Sequence, residues 1–131
     1  MIAIIDKSSL VFTRIKKTVK DYCGENASQT YIASPPSFPY IFVDQKDNPS
    51  TGEDMSNNEN AVEPLIEITV YTKGDASFSS NKNIHKLSDT AMRDMGFKRT
   101  FGPQQITNVS DTSITRLVAR YSRVIGSDDT L

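Results

Sequence analysis

A chain of 131 residues, 37% hydrophobic and 24% charged, has the size and composition of one globular domain with its own core. Its formal net charge is -1, and the chain carries no basic cluster interleaved with aromatics, which speaks against nucleic-acid binding as a primary role. One cysteine and one histidine exclude an internal disulfide and a Cys/His zinc set, and the six glycines spell no phosphate-binding loop.

The first residues carry the longest apolar run, Ile2 to Ile5, far short of the roughly 20 residues a membrane-spanning helix requires. Asp6 and Lys7 follow at once, so no secretory-signal pattern develops and an intracellular product is expected. From Ser8 to Cys23 the residues Phe12, Ile15, Val19 and Tyr22 recur at steps of three and four, with Val11 beside them, which predicts one amphipathic helix. Arg14, Lys16, Lys17 and Lys20 fall mostly off that stripe and toward its C-terminal half, where cations suit the helix dipole, and Gly24 supplies the stop. Burying each stripe residue stabilises by about 1.5–3 kcal/mol before entropy, so the helix needs a sheet or a partner to lie on. Cys23 at its end reads as a small packing residue rather than a nucleophile.

Pro35, Pro36 and Pro39 lack amide hydrogens, and the run Tyr40, Ile41, Phe42, Val43 after them predicts a strand over 39–44, with a short one near 30–33. From Gln45 to Asn60 only Met55 is a large apolar residue, and the composition predicts a long exposed acidic loop over 45–60. Val62, Pro64, Ile66, Ile68 and Val70 then alternate with Glu63, Leu65, Glu67, Thr69 and Tyr71, the period of a strand with one buried face and both glutamates toward solvent.

A second helix is predicted from a cap at Ser79, Ser80 or Asn81 to Gly96, with Ile84, Leu87, Ala91 and Met95 on its buried face. His85 lies among lysines in NKNIHKLSD and reads as a solvated helix residue. Residues 97–100 and 104–107 form a strand broken around Gly102 and Pro103, and 114–124 alternates again. Leu117, Ala119 and Tyr121 take one face there, and Arg116, Val118 and Arg120 the other. Helix, strand, strand, helix, strand, strand predicts an α+β fold, a small mostly antiparallel sheet with two helices on one face. Residues 1–131 form a single domain with 126–131 as a C-terminal tail.

Charge is segregated along the chain. Residues 44–67 hold seven acids against Lys46, residues 7–20 hold five bases and no acid, and residues 82–123 hold eight bases against three acids. An acidic protrusion and a basic body suit self-association. The stretch DNPSTGED imitates a calcium loop in its glycine alone, because Pro49 and Thr51 stand where ligands belong and Asn58 where the closing glutamate would be. Glu63 and Glu67 have no pocket-forming partner for acid/base work, and His85 is the only histidine a nucleophile could use. No metal, cofactor or catalysis is expected.

The segments FPYIFVD, PLIEITVYTKG, AMRDMGFKRTFGPQQI and TRLVARYSRVIGSDDTL, in this order and over nearly the whole chain, resemble the tail terminator, or tail-completion, proteins of long-tailed phages. The MGF turn and the final ARYSRVIG with its GSDDTL tail carry the likeness most specifically. The resemblance implies a subunit of a homo-hexameric ring that caps the tail tube, stops its polymerisation and offers a surface for head-tail joining. Its implied partners are further copies of itself, the major tail tube protein and a head-tail connector or stopper protein. Genome DNA would pass through the ring without being read. The implied location is the tail or neck of the virion, after assembly in the host cytoplasm, with no membrane. Arg116, Arg120 and Arg123 become candidate ring or neck contacts, and the acidic loop with Asp47, Glu53, Asp54 and Glu59 a candidate contact with tube or neighbour. Another neck component, a head-completion or stopper protein, has the same structural character, and a small α+β enzyme or ligand-binding module is the competing class.

Overall fold

The computed structural model describes residues 5–30, 35–51, 61–74, 77–106, 113–126, 129 and 131. Helices α1 (Ser8–Thr18), α2 (Lys20–Cys23) and α3 (Ser77–Asp94) accompany strands β1 (Ala27–Ser28), β2 (Tyr40–Asp47), β3 (Ser50–Thr51), β4 (Ala61–Val62), β5 (Leu65–Lys73), β6 (Lys98–Gln105), β7 (Ile114–Ser122) and β8 (Ile125–Gly126). Five strands form one sheet in the order β1-β2-β5-β7-β6, and β3-β4-β8 form a second, small one. Among the described strands, only the pairing of β1 with β2 is parallel. The chain is therefore α+β, as its alternation and helical periods predict.

Registers Val43↔Ile68 and Ile68↔Ala119 put Ile41, Val43, Ile66, Ile68, Val70, Ala119 and Tyr121 on one face of the large sheet. Against them lie Val11, Ile15, Val19 and Cys23 from the N-terminal helices and Ile84, Ala91, Met92 and Met95 from α3 and its end, in one buried cluster. Both long helices thus cover one face, and their apolar stripes are what hold them there. Burial pushes the Cys23 thiol up to about 11, which keeps it a protonated packing group.

The predicted first helix breaks at Val19, whose backbone (φ -101, ψ 12) closes α1 and opens α2. Its buried line is Val11, Ile15, Val19 and Cys23, at strict steps of four, whereas Tyr22 is 41% exposed. In the second long helix Ile84, Ala91 and Met95 are buried as predicted, but Leu87 is 37% exposed, and Asn81, His85 and Ser88 are buried beside Ile84. His85 is not a solvated residue. It is 2% exposed, and its Nε2 lies 2.9 Å from the Leu117 carbonyl oxygen.

The predicted loop is partly sheet. β2 runs on to Asp47 through an irregularity between Gln45 and Asp47, and β3 pairs with β4, which pairs with β8. Asn48 Nδ2 donates to the Ile5 carbonyl at 2.7 Å, so 45–51 belongs to the folded body, while 52–60 lies outside the described residues, as do residues 31–33 of the strand expected near 30–33. The predicted strand over 62–71 splits at Glu63 and Pro64. Val62 joins the small sheet, and the Glu63 amide donates to Pro49 instead of a ladder.

The face of the large sheet away from the helices is also apolar in part. Tyr40, Phe42 and Tyr71 are buried there, with the Phe42 and Tyr71 rings edge-on at 5.5 Å. β6 is one strand rather than two, but its register with β7 shifts twice, once on each side of Phe101. Near the C-terminus Gly126, Asp129 and Leu131 are hydrogen-bonded to the body or to one another. Gly126 N donates to Asp129 Oδ2 at 2.8 Å, and the Leu131 carbonyl accepts from Arg14 at 3.1 Å.

Candidate interface

Strand β7 places Arg116 and Arg120 two strand periods apart on the sheet face opposite the helices. Across β5 and β2 the row through Arg120 contains Glu67 and Asp44, and the row through Arg116 contains Tyr71 and Tyr40. In the first row Arg120 Nε donates to Glu67 Oε2 at 2.9 Å, and Lys46 Nζ reaches Asp44 Oδ2 at 2.9 Å and Glu67 Oε1 at 3.8 Å. The Lys46 ammonium is held above its ordinary value, chiefly by the hydrogen bond to Asp44. Glu67 does not point freely to solvent, as its place in the alternation implies. Its side chain is 13% exposed, with a base on either side. Partly exposed pairs of this kind each contribute about 0–1 kcal/mol, so the network fixes side-chain positions more than it stabilises the fold.

Arg120 also lies over Phe101, 5.1 Å from the ring centroid, and Arg116 lies over Tyr71 at 5.7 Å. The Arg116 Nε is buried with no hydrogen-bond partner among the described residues. It borders a cavity of about 100 Å³ shared with Phe42, Asp44, Lys46, Glu67, Thr69 and Tyr71. The two arginines therefore form one face of mixed charge and aromatic rings.

Arg123 stands elsewhere. Its Nη1 donates to the Met95 carbonyl at 2.6 Å, its Nε to Val124 at 3.1 Å and its Nη2 to Asp129 at 3.2 Å, which ties the end of α3 to the segment after β7. This explains the MGF turn. Gly96 takes φ +84, and a Cβ there would lie 3.0 Å from Arg123 Nη1, so glycine lets the guanidinium reach over the turn. Asp47 is exposed at the end of β2, opposite Leu65, and accepts from its neighbour Asn48 at 2.8 Å. Glu53, Asp54 and Glu59 lie outside the described residues. Of the candidates among the described residues, Arg116 and Arg120 share one face, and Arg123 and Asp47 lie apart from them.

A second cluster, on the helix side, is absent from the sequence reading. Asp89 accepts from Arg93 Nε at 2.8 Å, Arg99 Nη1 at 3.1 Å and Tyr121 Oη at 2.8 Å. Burial alone would raise the Asp89 carboxyl, but hydrogen bonds from Arg93 and Tyr121 and the nearby charge of Arg99 outweigh it and hold the group below its ordinary value. The Asp89/Arg93 spacing of four was the local signal for it. Tyr121, buried on β7, joins this cluster to the core. Tyr121→Phe is expected to cost about 1–2 kcal/mol, read as a lower urea midpoint at unchanged slope.

No protein-family model matches the chain, and no curated protein matches it. Among solved structures, a chain from the virion of a native gene transfer agent particle aligns with a TM-score of 0.64 over 89% of this chain and 92% of that one, at 12% identity. What the two chains share is the α+β fold, over almost their entire lengths.

Proposed function

We propose that this chain is a structural subunit of a phage-like virion, with a role in assembly rather than catalysis. The observation that carries the reading is the whole-length fold likeness to a chain of a gene transfer agent virion. Within the virion we infer the tail-terminator role, a hexameric ring that caps the tail tube, ends its growth and joins the head through a connector or stopper protein. The resemblance of the MGF turn and of ARYSRVIG supports that finer role, and so does charge segregation, since a closed ring needs two different complementary patches on each subunit. On this reading Arg116 and Arg120 with their aromatic neighbours are a surface for the neck, apart from the ring contact. Asp47 and the acidic residues Glu53, Asp54 and Glu59 belong to one of the two ring patches, and Arg123 supports the ring by shaping the turn after α3.

The test separates folding from assembly. Replacing 52–60 with a short Gly/Ser linker, while keeping 45–51, is expected to leave the melting temperature nearly unchanged, because halving a loop alters closure entropy by only about 0.6 kcal/mol. Tails assembled with that variant are expected to be abnormally long or to fail to join heads. Normal virions from a folded variant would remove the segment from the assembly surface.

A further inference from the structure

Between α3 and the edge strand β6 runs a recess of about 600 Å³ whose walls include Phe78, Lys82, His85, Lys86, Arg99 and Leu117. Its apolar and polar features each call for an occupant. Phe78 is 47% exposed, and Lys82 Nζ sits 5.2 Å from its ring centroid. Lys82 and Lys86 stand one helical turn apart, both exposed, and neither meets a carboxylate among the described residues. The acid of the recess, Asp89, is already engaged by Arg93, Arg99 and Tyr121. His85 uses Nε2 on the Leu117 carbonyl, and its buried Nδ1 has no partner among the described residues. Burial pushes the imidazole down to about 4, so at neutral pH it is uncharged. With the Nε2 proton directed at a carbonyl, Nδ1 is an acceptor without a donor. The fitting occupant is acidic and has an apolar side chain for Phe78.

We propose that this recess receives the acidic segment 52–60 of a second copy of the chain. That segment reads GEDMSNNEN. Glu53, Asp54 and Glu59 suit Lys82 and Lys86, and Met55 suits Phe78. A molecule's own segment departs from β3 and β4, which pair beside Ile125 and Gly126 just past the Ser122 end of β7. The recess runs along β7 from the level of Tyr121, opposite Arg99, to that of Leu117, opposite Gln105. An occupant from the next copy makes a head-to-tail contact, the kind that closes into a ring. The inference rests on the reading that the chain assembles with itself.

Sedimentation equilibrium of the full chain tests it, with a melting curve for each variant as a folding control. Lys82→Glu with Lys86→Glu gives a recess and a segment that are both acidic, and Glu53→Lys with Asp54→Lys and Glu59→Lys gives both basic. Each variant alone is expected to lose self-association by about tenfold or more, and an equimolar mixture is expected to regain it, because each recess then meets a segment of opposite charge. Lys82→Gln with Lys86→Gln should give a smaller loss in the same direction. Wild-type association in either reversed variant, or a mixture as dissociated as its parts, overturns the recess and leaves the ring reading standing. A wild-type chain that stays monomeric at every concentration overturns both.

Discussion

Gly102→Ala is expected to destabilise the protein by about 3 kcal/mol or more and to lower its melting temperature by roughly 10 °C. Gly102 has φ +74, and a Cβ built there would lie 2.1 Å from the Val118 carbonyl oxygen, 2.9 Å from Gln104 N and 3.1 Å from the Ala119 Cα. All three are backbone atoms, so no side chain can swing away to make room. The left-handed backbone adds about 1–2 kcal/mol for any L side chain. Relief requires β6 to lift off β7, with loss of the Phe101↔Arg120 and Gln104↔Val118 pairings. Because β6 is an edge strand, the loss should begin locally. Hydrogen exchange at 98–105 should accelerate while β5 and the β5-paired side of β7 stay protected. An unchanged melting temperature with unchanged exchange would mean that β6 is not seated on β7 as described.

His85 is expected to make stability depend on pH well above the carboxylate range. Its folded value, lowered from 6.5 to about 4 by burial, lies below that of the unfolded chain, so the unfolded state binds the extra proton between those values. Stability from this residue is therefore complete above about pH 6.5 and declines as pH falls toward 4, by on the order of 3 kcal/mol in all. Asp89, held below 3.8, acts lower still, its contribution fading as pH drops beneath the unfolded carboxylate value. A His85→Gln variant keeps a side-chain N–H for Leu117 but cannot titrate in this window. Melting curves from pH 7 to 4 should show the wild type losing stability faster than the variant, and parallel curves would contradict the buried neutral imidazole. His85→Ala is expected to cost about 2–4 kcal/mol at pH 7, from the cavity and the lost hydrogen bond. The sequence reading, which placed His85 in solvent, expects no such loss.

The contrast between these residues shows where local pattern stops informing. β5 and β7 were readable because a period of two, once it carries Ile66, Ile68 and Val70 or Leu117, Ala119 and Tyr121, sets one face against the helices, but it did not show that Tyr71 and Val118 are buried on the other. The first helix was readable as a helix with Val11, Ile15 and Val19 on its buried stripe, and only the sheet beneath decides its end, where Cys23 is buried and Tyr22 is exposed. Partners distant in sequence were invisible. The Leu117 carbonyl that holds His85 is 32 residues away, and the Arg120 that turns Glu67 from a solvent glutamate into a paired one is 53 away. The short strands β3 and β4 depend on β8 near the other end of the chain, so a run rich in Asn, Asp and Ser looked like loop throughout. Among the candidate interface residues, the alternation placed Arg116 and Arg120 on one face. It said nothing of Arg123, which lies beyond the strand and is set by Met95 and Asp129.

The most direct measurement of the ring reading is electron microscopy of the purified chain, alone and mixed with growing tail tubes. The account predicts closed rings that sit on tube ends, and tubes that stop lengthening when the chain is added. Tubes that keep growing with bare ends, beside a chain that remains a strict monomer, would contradict it.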